Sequence, residues 1–450
     1  MIIFLETLGC SRNQVDSEIM LGKIVAAGHN LTDDPGLAQI IIVNTCTFIS
    51  TASDEAVEVI LQMTKFKESG KCKKLIVTGC LAQRYKDDKN LASSLPEVDV
   101  FLGTGACDYI VEAVENKKVK TLTIFPDPNK REFQNPLDQR KLLSKFYAYI
   151  KVSEGCNRKC TYCIIPQLRG SQRSRPKKAI CKEAQSIISK GIKEIILTAE
   201  NTTDYGHDFQ SGIDQDGIDH DGFDDVLTSL SETMHNDNAW IRFLYTHPKT
   251  LTPAVIRAVQ QHKNICSYYD VPIQHASSKI LKKMGRPYTN KDLYNLFKTI
   301  RNIDDQAVLR TTIIVGFPGE SEEDFEVLMQ FIQDIKFDHL GVFTYSDSHD
   351  LKSHHLKNHV AENIAEKRHD MIMAAQAKIS QTINEQYVGK TFKVLIEENP
   401  ESGVYIGRTM FQAPEVDGVT FIYENRLEIN TFVNVRITDG FEYDIAGVIA

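Results

Sequence analysis

Short apolar runs alternate with helical patterns through most of this chain, and this alternation restricts the fold more than any other feature. Near the amino end the runs are rich in Ile, Val and Leu, which is typical of strands. Strands that alternate with helices favour a parallel sheet. We therefore predict an N-terminal parallel α/β sheet domain over residues 1–124. Its strand-like runs are IIFLETLGC, QIIIVNTC, KKLIVTGC and VDVFLGTG.

Each of the first three runs ends in a cysteine: Cys10, Cys46 and Cys80. The carboxyl ends of parallel strands meet at one edge of a sheet, where ligands bind. We therefore expect these three thiols to converge. A free cysteine is often only a small buried apolar residue, but the same placement three times argues against that alternative. Cys72 and Cys107 do not follow the pattern and are predicted to be structural.

Six more strand-like runs follow a polar stretch. Residues 125–140, FPDPNKREFQNPLDQR, contain three prolines and are predicted to be a linker. Over residues 141–376 helical patterns separate most of the six runs, which predicts an incomplete TIM-like (β/α)6 barrel. The runs are FYAYIKVSEGC, EIILTAENT, IRFLYTHP, YYDVPIQHA, RTTIIVGFPGE and HLGVFTYSD.

The ends of these runs carry polar residues, and the carboxyl ends of barrel strands are where such folds place their chemistry. Two of the helices between the runs begin at capping-box spacing, Thr289 with Asp292 and Ser321 with Asp324. An acidic insertion at 210–225 does not fit a calcium loop and is predicted to be a solvated loop. The polar residues at the run ends are Glu200, Asn201, His247, Gln274, His275, Glu320 and Ser346.

The third part of the chain, residues 379–450, has the pattern of a small β-barrel, with short strand-like runs separated by Gly, Pro and Asn. From Glu385 to Ala450 it holds eleven acidic and five basic residues. A surface that binds RNA is normally basic, so an acidic barrel favours a basic protein partner. A folding cap without any partner is the alternative.

The overall composition is that of an intracellular globular protein. The net charge is −8, which argues against nucleic-acid binding over the whole surface. No apolar stretch reaches the length of a membrane span, and MIIFLETLGC lacks the basic start of a signal peptide. We expect a cytoplasmic protein. Because that compartment is reducing, the ten cysteines are expected to include metal ligands, redox groups or buried apolar residues and not disulfides.

The stretch EGCNRKCTYC places Cys156, Cys160 and Cys163 at C-x3-C-x2-C spacing. A structural zinc site needs four ligands, and neither a second cysteine pair nor a nearby histidine supplies the fourth. Thiolates also hold iron–sulfur clusters. A cubane cluster on three thiolates leaves one iron open. S-adenosylmethionine (SAM) can bind that iron and be cleaved to a radical.

The motif C-x3-C-x-Φ-C, with Tyr162 as the aromatic residue, resembles the signature of the radical-SAM superfamily, in which this aromatic lies beside the adenine. Together with the three N-terminal cysteine motifs and a TRAM-like C-terminal barrel, the chain resembles the methylthiotransferases of this superfamily. The resemblance covers essentially the whole chain. Within that family the chain resembles the RimO-type branch, which acts on an aspartate of small-subunit ribosomal protein S-twelve. Ser11 and Glu200 stand where that branch commonly has proline and glutamine. The motifs are GCSRNQVDSE, VNTCTFIS, VTGCLAQR, IIPQLRGSQRSRP, AENTTDYG, VPIQHAS, RTTIIVGFPGE, GVFTYSD and IGRTMFQAPEVDG.

This resemblance implies two 4Fe–4S clusters and SAM as cofactors. Cys156, Cys160 and Cys163 would hold the radical-SAM cluster, and Cys10, Cys46 and Cys80 a second cluster that carries the sulfur. The radical would take a hydrogen from the β-carbon of the aspartate. A general base could not do so, because this C–H bond carries no acidic proton. No catalytic residue beyond the cluster ligands is implied. A reductant and a sulfur donor are the further partners; RNA contact is possible but not required.

Contacts to SAM are predicted from the barrel strands. Glu200 and Arg310 are polar residues that can bind the amino and carboxylate groups, although a salt bridge within the barrel explains them equally well. Gly316 and Gly319, in GFPGE, let backbone approach a ligand, or they form a tight turn. A basic cluster after the cysteine motif can meet carboxylate or phosphate, or lie in solvent. Its members are Arg169, Arg173, Arg175, Lys177 and Lys178.

Two alternatives stay open at this point. The MiaB-type branch of the same family modifies tRNA adenosine, for which a basic surface and steep salt dependence are expected. A non-enzymatic iron–sulfur or zinc protein would have saturated metal sites and would not cleave SAM.

Overall fold

The computed structural model describes residues 1–116, 121–131, 133, 140–209, 222–234 and 238–450. Residues 210–221 of the predicted acidic loop, and residues 132 and 134–139 of the predicted linker, lie outside the described residues. The limits predicted for the three domains stay predictions.

The N-terminal domain is a six-stranded, all-parallel sheet with helices on both faces, as predicted. Its strands are β1 (Ile2–Thr7), β2 (Asn30–Leu31), β3 (Ile40–Thr45), β4 (Lys74–Gly79), β5 (Val100–Leu102) and β6 (Leu122–Ile124). Its helices are α1 (Ser11–Ala26), α2 (Ser50–Glu68), α3 (Cys80–Arg84), α4 (Leu91–Ser94) and α5 (Ile110–Glu115). The strand order is β2-β1-β3-β4-β5-β6.

This order places a topological switch point between β1 and β3, which pair in parallel from Ile3↔Ile40 to Thr7↔Asn44. Strand β3 is buried throughout, because Ile41 packs into the core on one face and Ile42 into the core on the other. Ligands of doubly wound sheets bind beyond the carboxyl ends of the two strands at such a point. The fold therefore presents the residues that follow β1 and β3 to a ligand.

The central domain is an open barrel of six parallel strands, which confirms the predicted incomplete (β/α)6 architecture. The barrel strands are β7 (Tyr147–Lys151), β10 (Glu194–Thr198), β11 (Trp240–Phe243), β12 (Tyr268–Asp270), β13 (Val308–Val315) and β14 (His339–Thr344). They form two sheets, β11-β10-β7 and β12-β13-β14, linked by the parallel bridge Ile241↔Ile265. A short antiparallel pair, β8 (Ser153–Glu154) and β9 (Arg173–Ser174), follows β7. In the described part of the chain no ladder joins β14 to β7, so the barrel is open there.

Helices cover the outside of this barrel. They are α6 (Ile165–Arg169), α7 (Lys177–Ile188), α8 (Phe223–Thr233), α9 (Pro253–Gln261), α10 (Ser278–Lys283), α11 (Asn290–Ile303), α12 (Glu322–Ile335) and α13 (Glu362–Glu385). Both predicted capping boxes are confirmed, at Thr289 with Asp292 and at Ser321 with Asp324. Among the helices of the described residues, none is both long enough and apolar enough to span a bilayer.

The C-terminal domain is a closed five-stranded barrel, as predicted. Its strands are β15 (Thr391–Glu401), β16 (Val404–Thr409), β17 (Thr420–Tyr423), β18 (Phe432–Gly440) and β19 (Ile445–Ile449). The order β15-β16-β17-β19-β18 closes on itself, which leaves no free sheet edge. Alternate residues such as Val394, Ile396 and Val435 fill its core.

The loop between β16 and β17, residues 410–419, closes the amino end of the central barrel, and we call it the plug loop. Its residues accept hydrogen bonds from the first residues of the barrel strands. Tyr268 Oη donates to Asp417 at 2.6 Å, and Tyr147 Oη donates to Glu415 at 2.5 Å. His339 Nε2 lies 2.7 Å from the Phe411 carbonyl oxygen. The opposite, carboxyl end of the barrel is left for chemistry.

A buried ion network ties the C-terminal domain to the barrel beside the plug loop. Glu194 Oε1 lies 2.6 Å from Arg242 Nε, and its Oε2 lies 2.7 Å from Arg408 Nη2. Arg408 also bonds Glu397 at 2.6 Å. Glu194 and Arg242 are fully buried. Removing one member of such a network leaves a charge in the interior without its partner, which is costly.

We therefore expect Arg408→Met to lower the free energy of unfolding by about 3 kcal/mol, the usual effect of breaking a buried ion pair. Urea unfolding followed by circular dichroism measures it. Arg426→Met removes an exposed arginine of the same domain and should change stability by no more than about 0.5 kcal/mol. Equal stability of the two variants would contradict this account of the domain contact.

Candidate active site

The structure brings Cys10, Cys46 and Cys80 together at the carboxyl edge of the N-terminal sheet, and we call them the first cysteine group. They follow β1, β3 and β4, and Cys10 is also the N-cap of α1. Burial raises the pKa of Cys80 to about 12, with Arg169 opposing it and the Cys10 and Cys46 thiols adding to it. All three thiols are free and electrostatically coupled.

Two glycines allow these cysteine loops to approach one another. Gly9 and Gly79, each directly before a cysteine of the first group, have φ angles of +89° and +94°. A Cβ on Gly9 would lie 2.5 Å from Cys46 Cβ, and one on Gly79 would lie 2.4 Å from Asn44 Oδ1. Only glycine fits both the conformation and the space.

Asn13 holds the loops of the first cysteine group in place. Its Nδ2 donates to the carbonyl oxygens of Leu8, at 3.0 Å, and Thr45, at 2.9 Å. Its Oδ1 accepts from Arg169 Nη2 at 2.6 Å and lies 3.9 Å from Cys80 Sγ. One fully buried amide thus ties together the loops after β1 and β3, the Cys80 thiol and the central barrel.

Cys156, Cys160 and Cys163 lie on a loop just past β8 and form the second cysteine group. Gly155, with φ +76°, precedes it, and a Cβ there would lie 2.2 Å from the Ser171 carbonyl oxygen. Burial raises the pKa of Cys156 to about 11 and that of Cys163 to about 12; the Cys160 thiol raises both further, and the Cys156 thiol also raises that of Cys163. The neutral thiols must therefore release protons to bind a metal.

Each group offers three thiols, the number that a cubane cluster with one open iron binds. Among the described residues, no three His, Cys, Asp or Glu side chains form a group that could hold one metal ion. A single zinc would need its sulfur ligands about 2.3 Å from one centre. In a cubane cluster each thiolate binds a different iron, so three coupled but separated thiols fit such a cluster.

Tyr162 and the GFPGE turn lie close together beside the second cysteine group. Tyr162 Oη accepts from Arg286 at 3.0 Å, and its ring meets Phe317 edge-on at 6.4 Å. Gly316 and Gly319 both have positive φ. A Cβ on Gly316 would lie 2.5 Å from Ala365 Cβ, and one on Gly319 would lie 1.8 Å from Lys283 Nζ. The tight-turn alternative therefore has support in the packing.

Glu200 and Arg310, the two charged residues predicted to contact SAM, lie in different places. Glu200 follows β10 at the carboxyl end of the barrel, 3.5 Å from Arg12 Nε and 3.6 Å from Arg169 Nε. Arg310 is the third residue of β13 and lies 3.3 Å from Asp417 of the plug loop. The contacts of Arg310 support the salt-bridge alternative, and its role in SAM binding stays a prediction.

A buried charge network joins the N-terminal domain to the barrel between the two cysteine groups. Asp16 of α1 bonds Lys151 at 2.8 Å, Arg131 at 3.0 Å and Arg169 at 3.2 Å. Glu154 bonds Lys151 at 2.7 Å and also pairs with Arg169. Burial would raise the pKa of Asp16, but Lys151, Arg131 and Arg169 outweigh it and lower that pKa.

Three of the five residues in the basic cluster after the cysteine motif pair with carboxylates of the chain. Arg175 bonds Glu183 at 2.7 Å, and Lys177 pairs with Asp225. Arg169 is almost fully buried. The carboxylate alternative is therefore supported for Arg169, Arg175 and Lys177, with carboxylates that come from the chain itself, whereas Lys178 is exposed, as the solvent alternative expects.

Several buried polar atoms at the carboxyl end of the barrel have no hydrogen-bond partner in the part of the chain that the structure describes. Buried polar groups are normally satisfied, so a set of unpaired ones leaves hydrogen-bonding capacity for a ligand or for water. Burial, Arg286 and Arg158 lower the pKa of His247 to about 2, which keeps its ring neutral. The atoms are Glu200 Oε1 and Oε2, Asn201 Nδ2, His247 Nε2 and Asp270 Oδ1.

The two groups of cysteines could be predicted from the sequence, whereas the residues that position them carry weaker signals. The signal for Asn13 was the polar run SRNQVDSE directly after a cysteine. In this run Arg12 and Asp16, and likewise Asn13 and Ser17, are four residues apart and so lie on the same face of a helix. The signal for the glycines was the repeated Gly-Cys pair at Gly9, Gly79 and Gly155.

The histidine-rich stretch HDLKSHHLKNH lies over the site. We call residues 346–359 the cover segment. Asp350 bonds Arg84 of the N-terminal domain at 2.7 Å, and Ser353 N donates to the Thr161 carbonyl oxygen at 3.0 Å. Leu351 packs with Cys80, Ile164 and Leu168. The segment thus bridges both cysteine groups.

Each of the three domains matches a known protein family. Residues 2–103 match the family described as "Uncharacterized protein family UPF0004", residues 150–332 the radical SAM superfamily and residues 388–449 the TRAM domain. Two similar proteins are named "Ribosomal protein uS12 methylthiotransferase RimO". One, from Desulfosudis oleivorans, is 45% identical, with 99% of each chain covered. The other, from Clostridioides difficile, is 42% identical, with 99% of this chain and 98% of the relative covered.

Solved structures share the fold at low sequence identity. A radical S-adenosylmethionine methyltransferase, TsrM from Kitasatospora setae, aligns with a TM-score of 0.54 at 13% identity, covering 89% of this chain and 79% of that one. The cobalamin-dependent radical enzyme OxsB aligns with a TM-score of 0.51 at 12% identity, covering 82% and 55%. These likenesses concern the fold alone.

The thiols of the first cysteine group should differ in reactivity in protein prepared without metal. Burial acts to raise the pKa of Cys10, but Arg12, Arg169 and backbone N–H groups outweigh it and lower that pKa, whereas burial and Cys10 raise the pKa of Cys46. Since the thiolate forms above the pKa and is the nucleophile, Cys10 should be alkylated at lower pH than Cys46. Iodoacetamide labelling over a pH series, read by peptide mapping, measures this. Faster labelling of Cys46 would refute it.

Gly79→Ala should destabilise the protein more than Gly191→Ala does. Both glycines have φ near +94°, but a Cβ on Gly191 meets nothing within 4 Å. Gly191→Ala therefore tests backbone strain alone, about 1–3 kcal/mol, and Gly79→Ala adds the clash with Asn44 and Thr45. Urea unfolding of both variants measures the difference. If Gly191→Ala proved the more harmful, the close approach of the cysteine loops would not be the constraint.

Proposed function

The chain belongs to the family of the radical-SAM ribosomal protein uS12 methylthiotransferases, and on that premise we propose that it attaches a methylthio group to the β-carbon of an aspartate of uS12. The carrying observation is that two groups of three thiols border one buried interface, with Arg12, Arg169 and Glu200 between them. Relatives 42–45% identical over almost the whole chain bear the uS12 methylthiotransferase name.

We assign a 4Fe–4S cluster to each cysteine group and SAM to the barrel mouth. Cys156, Cys160 and Cys163 are the ligands of one cluster, and Cys10, Cys46 and Cys80 are the ligands of the other. Three thiols without a fourth leave an iron open to a further ligand. When bound, the barrel cluster with SAM supplies a radical that can take a hydrogen from carbon, and the other cluster supplies the methylthio group.

Residues of the chain shield part of this space from water. Leu351 of the cover segment packs in one apolar cluster with Cys80, Ile164 and Leu168. The Asp16, Glu154 and Arg169 network closes the interface behind the two groups. A dry, closed site protects reactive species from side reactions.

For SAM we propose Tyr162, Glu200, Gly316 and Gly319 as contacts. Glu200 supports the assignment because both carboxylate oxygens are buried without a hydrogen-bond partner among the described residues, as an acceptor for an amino group would be. His247 Nε2 and Asn201 Nδ2 are unpaired donors at the same mouth.

The partners of the reaction are uS12, a reductant and a sulfur donor, and we propose the cytoplasm as the compartment because the substrate is ribosomal. Part of the acidic excess of the C-terminal domain faces solvent, at Glu398, Glu401, Glu428 and Glu442. These carboxylates suit a basic protein and repel tRNA phosphates.

The test uses anaerobically reconstituted protein with SAM, a reductant and sulfide. Recombinant uS12 goes into one reaction and tRNA into another, and both are examined by mass spectrometry. We expect a methylthio group on a single aspartate of uS12 and unchanged tRNA. A modified adenosine with untouched uS12 would overturn the substrate, and SAM cleavage without either product would overturn both substrates.

Cysteine variants test the ligand assignment in the same preparation. Cys160→Ala and Cys46→Ala should each lower bound iron by about four atoms per chain, since each removes one ligand of one cluster. Cys181→Ala, a half-buried cysteine of α7 outside both groups, should keep the full iron content. Full iron in Cys46→Ala would remove it from the ligand set.

A further inference from the structure

Arg12 is a mostly buried cation at the start of α1, directly beside the first cysteine group. Its side chain is 12% exposed. Nη1 donates to the Ala199 carbonyl oxygen at 2.9 Å, and the guanidinium carbon lies 4.6 Å from the centre of the Tyr245 ring. Its Nε lies 3.5 Å from Glu200 Oε1, yet this donor makes no hydrogen bond within the described residues.

Its place between the two cysteine groups sets Arg12 apart. It interacts electrostatically with Cys10 of the first group and with Glu200, and Glu200 interacts with Cys156 of the second group. A substrate atom that must meet chemistry from both groups therefore comes close to this guanidinium.

The neighbouring cations are already fully engaged. Arg169 bonds Asp16, Glu154 and Asn13, and Lys151 bonds Asp16 and Glu154. Arg12, by contrast, faces a carboxylate whose two oxygens also make no hydrogen bond in the described part of the chain. Guanidinium and carboxylate groups normally meet in short, often bidentate pairs. Arg12 and Glu200 are thus near each other, and each has capacity for another partner.

The backbone around Arg12 is fixed. Ser11 Oγ lies 2.9 Å from Thr198 Oγ1 at the end of β10, which pins the start of α1 to the barrel. Tyr245 has φ +60°, and its N–H donates to Asp270 at 2.8 Å. A bulky residue held in this region of φ stores strain, which is common at functional sites. The guanidinium is thus positioned in advance by rigid neighbours.

We propose that Arg12 binds the carboxylate of the substrate aspartate and so places its β-carbon between the two cysteine groups. The proposal rests on the function proposed above. The carboxylate is one bond from that carbon, and Arg12 is a cation beside the first cysteine group whose Nε donor is unused among the described residues. Glu200 accepts a hydrogen bond from the amino group of SAM, which leaves Arg12 to the substrate. A neutral side chain in place of aspartate leaves Arg12 buried and unpaired, which penalises its binding.

The experiment measures binding of uS12, and of uS12 with the target aspartate changed to asparagine, to the reconstituted holoenzyme. SAM is present and reductant is omitted, so that no turnover occurs, and affinity is read by anaerobic titration calorimetry. We expect the wild type to bind the aspartate form about 10- to 100-fold more tightly, the usual effect of a charged hydrogen-bonded pair. Arg12→Gln should bind both forms equally, and Arg12→Lys should keep part of the preference. Arg301→Gln, at an exposed arginine of α11, is the matched control and should keep all of it.

Equal binding of both forms by the wild type overturns the proposal without any variant, so a poorly folding Arg12 variant does not block the test. A preference that persists undiminished in Arg12→Gln with full iron content also overturns it, because a different residue then reads the carboxylate. Failure of the function proposed above is a separate result, since it appears as unmodified uS12 in the turnover reaction.

Discussion

The contact of Arg169 with Asp16, Glu154 and Asn13 fixes the relation between the two halves of the site. Arg169 belongs to the loop and helix that follow the second cysteine group, whereas Asp16 and Asn13 belong to the helix that follows Cys10. One side chain therefore reaches the support of both cysteine groups. If it moved, the distance between the groups would change, and the proposed transfer between them depends on that distance.

Such a network is not an obvious source of stability. Removing several charges from water costs more than their attraction returns unless the geometry is good and the remaining hydrogen-bonding capacity is used. Here the capacity is used, because Asp16 has three cationic partners and Lys151 bonds two carboxylates. An apolar interface would tolerate sliding, whereas paired charges allow few arrangements. We infer that the network is retained because it fixes the orientation of the domains.

Local patterns in the sequence predicted the elements and the thiols. The runs of Ile, Val and Leu became β1, β3 and β4, and the pairs Thr289 with Asp292 and Ser321 with Asp324 became capping boxes. These features depend on residues within a few positions of one another. The cysteines could be grouped because parallel strand ends share one edge, a rule that needs topology but no side-chain detail.

The positioning residues could not be predicted in the same way. Asn13 and Arg169 are 156 residues apart, and their contact exists only once the N-terminal sheet sits against the barrel. Polar residues on barrel strands look alike in the sequence, so the predicted contact of Arg310 with SAM could not be separated there from a salt bridge, and it stays a prediction. Its position near the amino end of β13, beside Asp417 of the plug loop, could be known only from the register and the docking of a third domain.

The plug loop also changes how the charge of the C-terminal domain is interpreted. The acidic count included Glu415 and Asp417, but these carboxylates accept hydrogen bonds from Tyr147 and Tyr268 of the barrel. Both carboxylates serve the domain contact, but only the side chain of Asp417 is buried, whereas Glu415 is exposed and still contributes to the surface. Arg408, one of the few basic residues, is likewise used in the Glu194 network. The field that a partner meets comes from the remaining exposed residues, which are still more acidic than basic. The exposed surface of the domain is therefore still acidic when the residues engaged in the domain contact are left out of the count, and an acidic surface favours a basic protein partner.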